Sequence, residues 1–139
     1  MIQPGVGPVV ALAVVLTLGP VERFSCGKQV ASCFGLIPRE YSSGGRQRLG
    51  AISKQGSPFV RALLVQAAHV AVQHDAELRR QYVRLAQRKN RGVAIVAIAR
   101  KLAVRCYGIL RRAAQDAAVA GSMQGSPSHS VAEISRPIA

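Results

Sequence analysis

The stretch Val93-Ala94-Ile95-Val96-Ala97-Ile98-Ala99-Arg100-Lys101-Leu102-Ala103-Val104-Arg105-Cys106-Tyr107-Gly108-Ile109-Leu110 decides how this chain folds. Its apolar residues recur at helical spacing on two sides. Val93, Val96, Ala97, Val104 and Tyr107 share one side with Arg100, while Ile95, Ile98, Leu102 and Ile109 form a second. A helix that is apolar on two sides packs between other helices. The spacing therefore predicts a long helix from Val93 to about Gln115. Arg100, Lys101 and Arg105 within the stretch exclude a membrane span, because charges at that depth are costly in lipid.

The flanking sequence is helical by the same criterion. Asp75 is placed to cap a helix from Ala76 to about Lys89, with Leu78, Tyr82 and Leu85 on its apolar face. Arg79, Arg80, Arg84, Arg88 and Lys89 cover the rest, and Asn90-Arg91-Gly92 makes a turn. Ser57-Pro58 opens a further helix to His74, with Ser as N-cap and Pro in the first turn. Phe59, Leu63, Ala67 and Val70 give that helix an apolar stripe. Nearer the N-terminus, Val9 to Leu18 is an apolar helix stopped by Gly19-Pro20, and Gly27 to Phe34 is a short one. Val6 to Leu18 is too short to span a bilayer and lacks the preceding positive charge of a secretory signal. Leu36 to Ser57 shows no convincing strand and is expected to be a long basic loop, of the kind that usually carries function. From Asp116 onward Ala, Gly, Ser and Pro dominate, so 116–139 is expected to be a disordered tail. The fold class expected is all-α with a basic Ser/Gly loop.

Charge narrows the function. Nineteen Lys and Arg oppose six Asp and Glu, for a net charge of +13 and a pI near 11.3. Such a chain attracts phosphate backbones through Coulomb forces and counterion release. Arg far outnumbers Lys, and the guanidinium fork suits bidentate phosphate contacts. Nucleic acid is favoured over an anionic membrane surface. Cys26, Cys33 and Cys106 are an odd, unclustered set that argues against a disulfide framework and against zinc. Idle thiols in a reducing cytoplasm are the expected state. His69 and His74 lie five apart and miss the i, i+4 spacing of a helical metal site. Tyr41, Tyr82 and Tyr107 are scattered, as packing residues are, although each could stack a base.

Two segments carry candidate chemistry. Pro4-Gly5-Val6-Gly7-Pro8 has the form of the hairpin in a helix-hairpin-helix element, where Gly5 and Gly7 would let backbone N–H groups hold a DNA phosphate. An ordinary Gly-Pro turn before a core helix is the alternative. Ser42-Ser43-Gly44-Gly45-Arg46 sets a hydroxyl nucleophile beside glycines that admit a phosphate and near Arg39, Arg46, Arg48 and Lys54, which could neutralise charge on it. Glu40 is the one residue of that loop able to activate a hydroxyl. Ser-Gly-rich loops are more often flexible connectors. Arg61, Arg79, Arg80, Arg84, Arg88, Lys89 and Arg91 complete the candidate phosphate-binding set, with a solvated helix surface as the alternative for the last six.

The run Phe34-Gly35-Leu36-Ile37-Pro38-Arg39-Glu40-Tyr41-Ser42-Ser43-Gly44-Gly45-Arg46, then Leu49-Gly50-Ala51-Ile52-Ser53-Lys54-Gln55-Gly56 and Val60-Arg61-Ala62-Leu63-Leu64, resembles a long ordered signature. It is that of the transposases of the insertion-sequence one-ten group, which are related to Piv-type DNA invertases. The similarity extends from Pro4 to about Arg112. The resemblance implies a helical C-terminal domain at 25–115, with a partial helix-hairpin-helix at 1–24. Its nucleophile would be Ser42 or Ser43; Ser42 is preferred because the family pattern tolerates Thr at the second position. It also implies an N-terminal RuvC-like domain whose four carboxylates hold Mg²⁺, and DNA and a structured guide RNA as partners. Full-length transposase or a second copy of the chain are further partners it allows. The six acidic residues here are Glu22, Glu40, Asp75, Glu77, Asp116 and Glu133, and none sits in a RuvC-like pattern. The expectation is thus a truncated transposase, inactive alone and holding no cofactor of its own. A non-catalytic basic nucleic-acid-binding module is the alternative.

Overall fold

The computed structural model describes residues 3–43 and 45–124; Gly44 and residues 125–139, including most of the expected tail, lie outside the described residues. The chain is predominantly helical, as expected. Five α-helices follow in order: α1 Pro8–Leu18, α2 Gly27–Cys33, α3 Pro58–His74, α4 Ala76–Arg88 and α5 Arg91–Gln124. A short 3-10 turn, Val21–Arg23, links α1 to α2.

The helix ends are written locally. Gly19 stops α1 with a φ of 63°, its N–H donating to the Val15 carbonyl. Ser57 caps α3, its hydroxyl accepting from the Val60 N–H at 3.4 Å. Asp75 ends α3 and starts α4, accepting from the N–H groups of Glu77 and Leu78 at 2.9 and 3.2 Å. Asn90 caps α5, accepting from the Val93 N–H at 2.7 Å. α5 runs on to Gln124 rather than ending near Gln115, because Ala113 to Ala120 contains no glycine or proline to stop it.

α5 is the axis of the fold. It packs against α1, α2, α3 and α4, burying Ile95, Ile98, Leu102 and Tyr107 together with Ala94, Ala99 and Ala103. Val14 and Leu18 of α1, Val30 of α2, Leu64 of α3 and Leu78 of α4 close around it. Burying side chains of this kind stabilises by roughly 1.5–3 kcal/mol each before entropy is counted. The Tyr107 hydroxyl donates to the Phe24 carbonyl at 2.8 Å, and the two rings meet edge to face.

The run of α5 to Gln124 also corrects the expected disordered tail over 116–124, and two further sequence expectations are corrected. The buried face of α3 is Val60, Leu64, Ala67, Ala68 and Ala71, whereas Phe59 and Val70 are 65% and 44% exposed. Small residues admit close backbone approach, so the helix turned its alanines inward rather than its largest side chain. The basic segment is not an irregular loop. It forms an antiparallel ribbon of β1 Pro38–Ser43 and β2 Arg46–Ile52, with an irregularity between Pro38 and Glu40. The sequence of the two strands shows no apolar alternation, and that alternation is the signal by which a strand is recognised.

Candidate nucleic-acid interface

The ribbon's pairing runs to its tip. Tyr41 is opposite Arg48, Ser42 opposite Gln47 and Ser43 opposite Arg46. Gly45, at φ 79°, turns the chain there, and a β-carbon on it would meet nothing within 4 Å. Pairing alternation puts positions 41, 43, 46 and 48 on one ribbon face and positions 40, 42, 47 and 49 on the other. Of Arg39 through Ser43 and Arg46 through Leu49, backbone alone is described.

The base of the ribbon is fixed by close backbone contact. The Ser53 N–H donates to the Ile37 carbonyl at 2.9 Å, and the Lys54 N–H to the Gly35 carbonyl at 3.2 Å. Lys54 itself is exposed with φ 56°, a left-handed conformation that a lysine rarely adopts. Phe34 and Leu36, both buried, hold this base to the helical body.

The candidate arginines divide into two groups. Arg61 is structural: its guanidinium donates to the Phe34 carbonyl at 3.4 Å and the Gln55 carbonyl at 3.3 Å, tying α3 to both ends of the ribbon segment. Arg79 is structural as well, donating to the Val72 carbonyl at 3.1 Å and to the Gln73 carbonyl at the end of α3. Arg80, Arg84, Arg88, Lys89 and Arg91 are exposed and make no ion pair or side-chain hydrogen bond among the described residues. Arg80, Arg84 and Arg88 follow i, i+4, i+8 spacing, a stripe with about 6 Å of helical rise between successive members.

The two carboxylates at the start of α4 pair with α5 and not with the stripe. Arg105 bridges Asp75 at 3.0 Å and Glu77 at 3.1 Å, and Lys101 binds Glu77 at 2.8 Å. Desolvation pushes the Asp75 carboxyl up, but hydrogen bonds from Arg105, Leu78 and Glu77 outweigh it and hold the group below its ordinary value. The hydrogen bond and charge of Lys101 lower Glu77 likewise. This network had no local sequence signal, since its partners lie 24 to 30 residues apart.

The N-terminal glycines also divide. A β-carbon on Gly5 would stand 2.2 Å from the Ala67 carbonyl oxygen, so Gly5 allows the N-terminal segment to lie directly on α3. That is a packing role. Gly7 is the exposed N-cap of α1 with open space around it. Among the described residues no cluster of His, Cys, Asp and Glu could hold a metal ion, and no helix is long and apolar enough to cross a membrane.

Residues 1–83, which include the whole ribbon and its serines, match the family described as Transposase IS116/IS110/IS902. The chain belongs to that transposase family. A probable family 20 transposase of Pseudomonas aeruginosa is 38% identical over 112 residues, covering 78% of this chain and 33% of that protein. The transposase for insertion sequence element IS1111A of Coxiella burnetii is 33% identical over 113 residues, 78% of this chain and 31% of that protein. The transposase for IS1328 of Yersinia enterocolitica is 36% identical over 107 residues, covering 72% and 31%. The chain thus spans about a third of the length of these transposases.

Proposed function

We propose that this chain is the serine-bearing helical portion of an insertion-sequence transposase, and that its ribbon offers Ser42 to a DNA phosphodiester. What supports this is the ribbon: two serines and Arg46 at a glycine turn, on a base locked to the helical body by Gly35 and Gly56. In the reaction a bond forms between the serine Oγ and phosphorus. A deoxyribose oxygen departs and gains a proton as the serine loses one. Ser42 is preferred over Ser43 because its position shares a ribbon face with Glu40, the one carboxylate in either strand. Position 43 shares a face with Arg46 and Arg48, the residues suited to phosphate.

The described residues do not fit a metal site. In this proposal the Mg²⁺ of the family, which would stabilise charge on the phosphoryl oxygens, comes with carboxylates of a full-length transposase acting together with this chain. Alone, the chain binds DNA or a structured guide RNA without forming a covalent product. A second reading, a binding module with no chemistry, is favoured by the stripe of Arg80, Arg84 and Arg88, which needs no serine.

A denaturing gel separates the two. The protein is incubated with Mg²⁺, labelled insertion-sequence DNA and its guide RNA, with and without a full-length relative whose own ribbon serines are alanine. The chain alone is expected to give no protein–DNA adduct. The complemented mixture is expected to give one on this chain, abolished by Ser42→Ala. Retained binding without an adduct in the complemented mixture leaves the binding module as the function. Loss of the adduct in Ser43→Ala, but not in Ser42→Ala, reverses the choice of nucleophile.

A further inference from the structure

The side of α5 that carries Val93, Val96, Ala97 and Val104, read from the sequence as a packing face, is covered only in part, by α2 where Gly27 meets Val104. These four residues floor an open groove. Leu85 of α4 stands on one wall, and the ribbon base at Pro38 and Ile52 forms part of the other. Two clefts of about 720 and 510 Å³ make up the groove and meet at Leu85, Ala97 and Arg100. The floor from Val93 to Val104 is about 16 Å long at helical rise, three turns of a helix. Val93 is 46% and Val104 37% exposed, so aliphatic surface is left facing water there.

The rim has one sign of charge. Lys28, Lys89 and Arg100 line the groove and are exposed; among the described residues they have no ion pair, and no described carboxylate lines the groove. Lys101, the other cation, is already held by Glu77. We infer that the groove docks an amphipathic helix of a protein partner, about three turns long, whose apolar stripe is flanked by carboxylates. The length of the floor and the charge complementarity set that choice. A nucleic-acid strand fits less well: among the described residues the lining holds no aromatic ring for bases to stack on, and a phosphate backbone would leave the valines wet. Because the ribbon base is one wall, the docked helix would touch the element that carries Ser42 and Ser43. The inference does not depend on whether either serine reacts.

The probe is a fluorescein-labelled synthetic peptide of about 14 residues, with Leu at i, i+3, i+4, i+7 spacing and Glu at the flanking positions. Its control is the same composition in scrambled order, and binding is read by fluorescence anisotropy. The amphipathic peptide is expected to bind saturably, with the scrambled peptide at least about tenfold weaker. Val93→Glu and Arg100→Glu should each weaken binding about tenfold or more, while Arg112→Glu, the same charge change outside the groove, leaves it within about twofold. Far-UV circular dichroism confirms that each variant keeps its helix content. Equal binding of the scrambled peptide, or equal losses in all three variants, would overturn the inference in favour of diffuse charge attraction. Displacement of the peptide by a short oligothymidylate would overturn it in favour of nucleic acid, and absence of peptide binding would overturn it outright.

Discussion

Gly56 lies so close to Cys33 that a β-carbon built on it would stand 2.2 Å from the Cys33 carbonyl oxygen. Gly35 stands in the same relation to Gln55, at 2.3 Å from its carbonyl oxygen, and both glycines have positive φ. These are the two glycines that bracket the ribbon, so they fix where its tip stands. Gly56→Ala is expected to lose about 2 kcal/mol or more of stability in urea unfolding, from clash added to left-handed strain. Gly45→Ala meets open space and should cost only about 1 kcal/mol.

The two groups of arginines predict different effects. Arg61→Met and Arg79→Met each remove guanidinium bonds to backbone carbonyls and should cost roughly 1–2 kcal/mol of stability. Neither should alter the salt dependence of nucleic-acid binding. Replacing Arg80, Arg84 and Arg88 together by Gln should do the reverse. Stability stays nearly constant, and the slope of log affinity for duplex DNA against log salt becomes shallower by about 0.9 for each phosphate that is no longer neutralised. A salt series on the parent protein and the three variants checks both halves.

The interlock of α3, α4 and α5 should weaken in acid. Asp75 is held below its ordinary carboxylate value in the folded chain, so its charged form favours the fold. That stability is fully present above the unfolded pKa, about 4, and is lost as pH falls through the lower folded value. Thermal midpoints measured from pH 6 down to pH 3 should therefore decline. Asp75→Asn keeps a capping oxygen but has no charge to lose, so it should start lower and decline less steeply.

The thiols differ in reactivity for local reasons. Cys26 is exposed, and the N–H groups of Gln29 and then Lys28 hold its thiol below the ordinary value. Burial pushes Cys106 up. At neutral pH iodoacetamide should alkylate Cys26 well before Cys106, as seen by mass spectrometry of tryptic peptides; the opposite order would contradict the packing of α5.

The helices were legible because their signals are local. Ser57-Pro58 and Asp75 mark the starts of α3 and α4, and the two-sided pattern around Ile98 and Leu102 announces the axis of the fold. The ribbon was not legible. Its strands hold Arg, Ser and Gly in place of alternating apolar residues, and its geometry depends on Gly35 and Gly56 meeting backbone far from the tip. The buried face of α3 was hidden for a related reason: neighbouring backbone, including that at Gly5, selects alanine over phenylalanine. Motif residues located the serines, but nothing local told Arg61 and Arg79, which bond backbone carbonyls, from Arg80 and Arg84, which bond none among the described residues.

The central claim, that the ribbon serine is the group that joins DNA, is tested most directly by locating a covalent nucleotide on one peptide. Trypsin cuts after Arg39 and Arg46 and releases Glu40 to Arg46, which contains both ribbon serines. After reaction in the complemented mixture and nuclease trimming, mass spectrometry should find that peptide carrying a nucleotide phosphodiester, with fragment ions assigning it to Ser42. A nucleotide on any other peptide of this chain, or an unmodified Glu40–Arg46 peptide in a mixture that completes transposition, would contradict the account.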